Sequence, residues 1–482
     1  MKQHKAFILL LIGILLAVIS FLWNPFGLSA QGKVTFAIAV LMITWWVSEA
    51  LPMPAVALVP LVLYPLFGIS SFEETARSYA NPAIFLFMGG FLIGLAIEKW
   101  NLHKRIALLI VSKTGSSGNR IILGFILATG FLSMWLSNTA TAMMMLPIAL
   151  SVVAVMKAHP HPDGNFNHFA LVLMLSIAYA SNMGGIATII GTPPNVAFVS
   201  YLEKKYQYTI DFVDWIMLCA PLSLLLLFSI YFSLAHVFFP NRIASNVSAN
   251  LFIQEELKSL GSLSSNERRV LFVFLLTAGL WITKDILNTV LSIKLDDAMI
   301  AVFGGLLLFM IPATSNDDQP AGNLLEWSDT SKLAWGILLL FGGGIALAAS
   351  LEKTGIMTSI GEWLASFQYI KGWMLVLLIV VISIFLSEVM SNVAQVIVFA
   401  PVVSALADAL QMDPLLLGVP MTLAASSASM LPMGTPPNAI VFSSGYIKLK
   451  DMLKAGFIVN LISIVLITLF CWFILPMVMK VM

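Results

Sequence analysis

Apolar runs of about 20 residues recur along this chain, separated by short polar or Gly- and Pro-containing segments, which is the pattern of helices that cross a bilayer. The runs predict helices over 6–22, 34–50, 53–67, 83–98, 169–200, 213–239, 270–291, 297–312, 334–351, 415–446 and 455–479, eleven crossings in all. Two further apolar stretches, 121–156 and 373–410, carry polar residues at their centres. They read as re-entrant hairpins that enter and leave on one side. The run after Met1–Lys5 exceeds the apolar core of a signal peptide and is read as an uncleaved first helix. A polar stretch, 240–269, divides the chain and reads as a cytoplasmic linker with a short amphipathic helix at 251–260; 313–332 is a second polar loop.

Composition narrows the function classes. Of 482 residues, 59% are hydrophobic and 10% charged, against roughly 25% charged in soluble proteins. Mean hydropathy is +0.95. A water-soluble enzyme, a nucleic-acid binder and a disordered protein are excluded, and the partner is the lipid bilayer. A net charge of +1 implies no polyanionic partner, hence no nucleic acid. Most of the 25 Lys and Arg fall on one set of loops, which places the N-terminus in the cytoplasm and Met482 outside, in a multi-pass cytoplasmic-membrane protein. Cys219 and Cys471 lie in separate apolar runs and read as packing residues.

The two halves match in register. Phe87-Met-Gly-Gly90 and Phe341-Gly-Gly-Gly344 are offset by 254 residues, as are Glu98-Lys99 and Glu352-Lys353, Ser137-Asn138 and Ser391-Asn392, and Pro147 and Pro401. Gly191-Thr-Pro-Pro-Asn195 and Gly434-Thr-Pro-Pro-Asn438 follow at an offset of 243, the polar loop 157–168 holding the extra residues of the first copy. The fold class expected is an all-α polytopic membrane protein, with eleven transmembrane helices plus two re-entrant hairpins in an inverted repeat. N-terminal scaffold helices occupy 1–80 and the first repeat 81–239. The linker is 240–269 and the second repeat 270–482. Inverted repeats bring a binding site to the midplane, where the copies meet.

Each copy has Ser-Asn at a hairpin tip and Gly-Thr-Pro-Pro-Asn in a broken helix. Unpaired backbone in the hydrocarbon zone costs several kcal/mol per group, and paired prolines bar a helix from continuing. Such breaks persist where a ligand or ion uses the freed groups. Carbonyls, Ser hydroxyls and Asn amide oxygens form a hard-oxygen cage suited to Na+; helix N-termini with Asn and Thr donors suit an anion. Ser133 and Ser387 each precede their tip serine by four residues and share its helix face.

Ser137-Asn-Thr139, Gly191-Thr-Pro-Pro-Asn195, Ser391-Asn392 and Met430 through Phe442 resemble the divalent anion–sodium symporter family, the INDY-like carriers of di- and tricarboxylates and sulfate. The resemblance runs from Trp45 to Pro476. It implies a homodimer of eleven-helix protomers, each with a scaffold domain and a transport domain that moves as an elevator. It further implies at least two Na+ per protomer. The first would use Ser133, Ser137, Asn138 and Gly191, and the second Ser387, the backbone at Met390, Asn392 and Gly434. A small dianionic substrate would meet Asn138, Thr139 and Asn392, with Thr192, Pro193, Thr435 and Pro436 lining the site. Val393 stands where some members have Thr, and Ser391-Asn-Val393 resembles the pattern of animal di- and tricarboxylate carriers. Gln395, two residues on, either supplies a polar contact there or packs within the hairpin.

No Lys or Arg lies in the four motifs, so a dianion needs bound cations and helix ends to balance it. The reaction expected is sodium-coupled import of C4-dicarboxylates, with sulfate, citrate or exchange as alternatives. Glu388 is read as a hydrogen-bonding brace rather than a proton carrier. His159, His161, Asp163 and His168 lack a zinc-type spacing and read as a solvated loop. Phosphate-loop and hydrolase motifs are absent, so an enzyme is not expected.

Overall fold

The computed structural model describes residues 2–24, 27–158, 164–243, 247–314, 322–365 and 372–479. His159, His161, Asp163, Met482 and part of the 313–332 loop lie outside the described residues. Within them the regular structure is helical, apart from an isolated bridge between Pro312 and Asn323. The principal helices are α1 (Lys2–Trp23), α2 (Ala30–Ser48), α3 (Pro82–Lys99), α4 (Gly118–Ser133), α5 (Asn138–Lys157), α6 (Phe166–Gly185), α7 (Pro193–Tyr206) and α8 (Phe212–Phe232). They continue with α9 (Ser265–Leu291), α10 (Asp297–Met310), α11 (Trp335–Lys353), α12 (Trp373–Ser387), α13 (Asn392–Ala409), α14 (Pro414–Ala425), α15 (Pro436–Phe442) and α16 (Leu449–Phe473).

Ten helices among the described residues are long and apolar enough to cross a membrane. The sequence expectation partitions the chain differently. Residues 53–66, α10 and α14 are short, whereas the second hairpin arms, α5 and α13, are themselves 20 and 18 residues long. Helix α1 turns Phe7, Ile8, Leu11 and Leu15 outward and packs on α2. Outward apolar side chains of this kind need lipid. Glu49 closes α2 in the left-handed conformation, as a helix-end residue does, but Trp46 beside it is buried and donates to the Met53 carbonyl rather than joining an aromatic belt. Cys219 and Cys471 are buried and free.

The order α3 to α8 recurs as α11 to α16, and the packing respects that correspondence. Helix α6 packs on α4, α5 and α8, and α14 packs on α12, α13 and α16. The short helices cross over: α7 packs on α13 and α14, and α15 on α5 and α6. Equivalent elements meet each other, α8 against α16 and α3 against α11, where Phe87 and Phe341 stack edge to face with centroids 5.4 Å apart. The Gly-Gly motifs serve close approach. A Cβ on Gly89 would lie 2.4 Å from the Ala301 carbonyl carbon and oxygen, and one on Gly343 2.4 Å from the Ala57 oxygen. Small residues let these helices touch backbone to backbone.

The linker is shorter than 240–269. Ser264 and Glu267 form a capping box that starts α9 at Ser265, so Arg268 and Arg269 lie within the helix. The linker helix is Val247–Ser259, packed on Leu102–Thr114 and on α5. Arg105 fixes it, donating to both Glu267 oxygens (2.7 and 3.1 Å) and to the Leu260 and Gly261 carbonyls. The linker's start also clamps the base of the first hairpin: the Ile243 carbonyl accepts from Gly118 N–H, and the Asn241 carbonyl from Asn165 N–H.

Ion pairs fall in two groups. Lys99–Asp329, Lys104–Glu256 and Arg105–Glu267 gather where α3 ends and α9 begins. Lys353–Glu74, Lys205–Asp408, Lys284–Asp211 and Lys284–Asp297 gather where α7 and α11 end. Each pair joins residues that the loop reading assigns to one membrane face. We expect Lys258→Cys and Lys353→Cys to be labelled by an impermeant maleimide from opposite sides of oriented vesicles, against the unreactive background of the two buried native thiols. Labelling of both from one side would refute the arrangement.

Candidate ion and substrate site at two hairpin tips

Each hairpin turns in four residues. In the first, Ser137 caps α5, its hydroxyl accepting from Ala140 N–H at 3.2 Å. Ser391 holds the equivalent place before α13, without a side-chain capping bond. The last residue of each first arm then reaches across the turn. Ser133 Oγ lies 2.7 Å from Asn138 Oδ1 and 2.7 Å from the Ser181 carbonyl at the end of α6. Ser387 Oγ lies 2.6 Å from Asn392 Oδ1 and hydrogen-bonds the Ala425 carbonyl, the last residue of α14.

The two constructions are the same, and both are short of protons. A serine hydroxyl carries one hydrogen, while the amide and the backbone oxygen are acceptors only. With the amides of Asn138 and Asn392 each oriented so that Oδ1 rather than Nδ2 faces the serine, three oxygens share one proton at each tip. Such a cluster suits a small hard cation, whose ligands are oxygens. Glycines bring further oxygens in. A Cβ on Gly191 would stand 2.4 Å from the Gly185 carbonyl oxygen and 3.0 Å from that of Ser133, and a Cβ on Gly185 would stand 2.3 Å from Asn138 Oδ1. Any larger residue would push the broken helix off the tip.

The helix breaks start earlier than the Gly-Thr-Pro-Pro-Asn motifs, at Ile186 and Ser426. Their irregular backbone is held by the motif asparagines. Asn195 Nδ2 donates to the Thr188 carbonyl (2.8 Å), and Asn438 Nδ2 to that of Leu431 (3.1 Å), residues at the motif offset of 243. Both Oδ1 atoms are buried without a partner among the described residues.

The copies then differ in how loop and hairpin are joined. In the first, Thr188 Oγ1 donates to the Met134 carbonyl and accepts from Gly191 N–H at 3.0 Å. In the second, Glu388, which stands where Met134 does, accepts from the N–H groups of Ser429 (2.8 Å), Met430 (2.8 Å) and Leu431 (2.9 Å) and from Asn460 Nδ2 (2.8 Å). Four donors converge on a buried carboxylate, which makes it the anchor of the 426–435 segment. A direct bond joins the repeats as well: Asn182 Nδ2 donates to Thr435 Oγ1 at 3.1 Å.

Among the residues singled out in the sequence, Ser133, Asn138 and Gly191 come together at the first tip, and Ser387 and Asn392 at the second. Gly434 lies against Glu388, a Cβ there meeting its Oε2 at 2.9 Å. Thr139 and Val393 occupy equivalent half-buried positions, and the Thr139 hydroxyl has no protein partner among the described residues. Met390 is half-buried in the second turn, its N–H bonded to the Leu386 carbonyl. Thr192 is buried at the start of α7, Pro193 is half-buried and Pro436 exposed. Gln395 packs inside its hairpin, its amide donating to the Ser383 carbonyl (2.9 Å) and hydroxyl (2.6 Å). His168 belongs to α6 and bonds the Pro240 carbonyl, and no group of three His, Cys, Asp or Glu fit to hold a metal occurs among the described residues. The carbonyls of Ser181 and Ala425 carry no side-chain signature. Asn195, Asn438 and Thr188 could have been found by asking what holds a broken helix open.

The profile described as the sodium:sulfate symporter transmembrane region matches residues 3–479. The chain belongs to this family. It is a membrane transporter, not an enzyme. It is 39% identical to the sodium-dependent dicarboxylate transporter SdcS of Staphylococcus saprophyticus, covering 100% of this chain and 94% of that protein. It is 38% identical to SdcS of Staphylococcus aureus strain USA300, covering 98% and 92%. Among solved structures, the YdaH transporter of Alcanivorax borkumensis superposes with a TM-score of 0.58 at 14% identity, over 84% of this chain and 88% of that one. MtrF of Neisseria gonorrhoeae gives 0.58 at 12% identity, over 86% and 84%. These two likenesses concern the fold alone.

Removing the Glu388 carboxylate would leave the buried Ser429 N–H and Asn460 amide without an acceptor, at about 1–3 kcal/mol each, and the half-buried Met430 and Leu431 N–H groups at less. We expect Glu388→Ala to lower the thermal midpoint of the purified protein markedly more than Met134→Ala. Equal midpoints would show that Glu388 does not anchor the loop.

Proposed function

We propose that this protein imports C4-dicarboxylates such as succinate, malate and fumarate together with Na+, by an elevator movement within a homodimer. The observation that carries the reading is the shortage of protons at both tips, where three oxygens share one hydrogen in each copy. Ser133, Asn138 and the carbonyls near Gly191 would hold one Na+. Ser387, Asn392 and the backbone at Met390 and Gly434 would hold another. Ser137 contributes by capping α5, which aims the Asn138 amide.

Two Na+ balance one dianion. That balance matters because the motifs contain no Lys or Arg and an uncompensated charge is expensive in the membrane. The substrate carboxylates would meet the Asn138 and Asn392 amides and the free Thr139 hydroxyl, with Thr192, Pro193, Thr435 and Pro436 around them. The naming of close relatives as sodium-dependent dicarboxylate transporters favours dicarboxylate over sulfate or citrate. The crossing of α7 and α15 into the opposite repeat supports movement as one body, because both tips and both broken helices are packed together. We read the hairpins as re-entrant, the linker side as cytoplasmic with the N-terminus, and the C-terminus as external.

Asn138→Ala is expected to raise the Na+ concentration for half-maximal transport sharply in a folded protein, and Asn392→Ala to do comparable damage. Unchanged Na+ dependence in both would sink the assignment; an effect of the first alone would refute the paired site.

Thr139→Val should weaken succinate binding and Val393→Thr strengthen it, in each case by up to about 1.5–3 kcal/mol, the worth of one hydrogen bond to a charged group. Competition between succinate and the monocarboxylate butyrate reads out the two contacts. Unaltered succinate affinity in both variants would mean that neither side chain touches substrate.

A further inference from the structure

A cavity of about 440 Å³ lies away from the tips, where α7 and α11 run beside the segment 70–81. Its size falls within the range of small-molecule sites, roughly 300–1,000 Å³. Three cations, Arg77, Lys204 and Lys353, and two carboxylates, Glu74 and Glu203, line it. Lys353 pairs with Glu74 at 3.1 Å, and Arg77 with Glu73 at 2.9 Å. Lys204 differs. Its ammonium donates to Ser78 Oγ at 3.1 Å and to the Ile345 carbonyl at 3.4 Å, and no carboxylate lies within ion-pair distance among the described residues. Lysine has three N–H donors, so one remains for a ligand. Glu74 and Glu352 act on this ammonium from a distance, but its direct contacts are neutral oxygens, which leaves a partly buried cation able to take an anion.

The location gives that anion a meaning. Lys204 stands in the last turn of α7, twelve residues beyond Thr192, which is about 18 Å along the helix at 1.5 Å per residue. Lys353 and Lys205, on the same side, belong to the ion-pair group of the face opposite the linker helix. The cavity therefore sits between that face and the first Gly-Thr-Pro-Pro-Asn motif.

We infer that the cavity is an entry site for the carboxylate substrate, in which Lys204, with the Ser78 hydroxyl beside it, captures one carboxylate before the dianion reaches the hairpin tips. The inference rests on the dicarboxylate reading above. The tips contain no Lys or Arg, so Lys204 supplies the positive charge that draws a dianion inward. A focused cation of this kind acts on capture, and its effect is screened by salt.

The test is succinate uptake at saturating Na+ by the full-length protein in phosphatidylcholine vesicles, repeated with phosphatidylglycerol added. Lys204→Gln should raise KM for succinate presented to the cavity face roughly three- to tenfold. Vmax should change little, and the KM difference should shrink as choline chloride is raised. Lys204→Arg should restore KM, and Ser78→Ala should raise it in the same direction. In Lys204→Gln, Vmax/KM for succinate presented to the linker face should fall by the same factor, because a substitution cannot alter the equilibrium across the membrane. An unchanged KM would overturn the proposal, and so would a loss confined to Vmax, which would make Lys204 a brace between α7 and the 78–80 turn. A KM effect that appears only with phosphatidylglycerol would assign the cavity to a lipid headgroup instead. Asn138→Ala measured alongside keeps the readings separate: intact Na+ dependence there would remove the tip assignment and leave the Lys204 result standing.

Discussion

A single hydroxyl proton faced by two acceptor oxygens is the constraint from which the rest of the site follows. It occurs twice, at Ser133 between Asn138 and Ser181, and at Ser387 between Asn392 and Ala425. Oxygens packed at this density repel one another unless a proton or a cation lies among them. Covalent chemistry supplies one proton per tip, and a bound cation is what we propose completes the arrangement. The glycines, the tight four-residue turns and the breaks at Ile186 and Ser426 all serve to crowd oxygen there. In the proposed function the same shortage couples ion to substrate: with no basic side chain in the motifs, a dianion would have bound cations and helix ends to meet.

Most of this was legible in the sequence, because the chemistry that matters most is doubled. Ser-Asn and Gly-Thr-Pro-Pro-Asn recur at two fixed offsets, and chance does not repeat such spacing in so apolar a chain. The illegible part has a common cause. Ser181 and Ala425 act through backbone carbonyls, which every residue possesses, so their identities carry no signal. Gln395 looked polar enough to touch substrate, but its amide closes on Ser383 within the hairpin. Arg268 and Arg269 read as loop charges in sequence, yet Ser264 and Glu267 spell a capping box, and both arginines fall within α9.

The repeats share a plan but not every part. Thr188 sends its hydroxyl from loop to hairpin, while Glu388 sends a carboxylate from hairpin to loop. Each solution holds irregular backbone against the tip. The second also places the Glu388 side chain beside Gly434, where the first has Met134, so the two tips do not have the same surroundings. The fold itself is shared with transporters at 12–14% identity.

The most direct test of the central claim is uptake of labelled succinate by the purified protein in proteoliposomes, with an inward Na+ gradient or with choline in its place. The paired oxygen-rich tips predict concentrative uptake that requires Na+ and is competed by malate and fumarate but weakly by sulfate or citrate. Succinate uptake of equal rate and extent in choline would contradict the account.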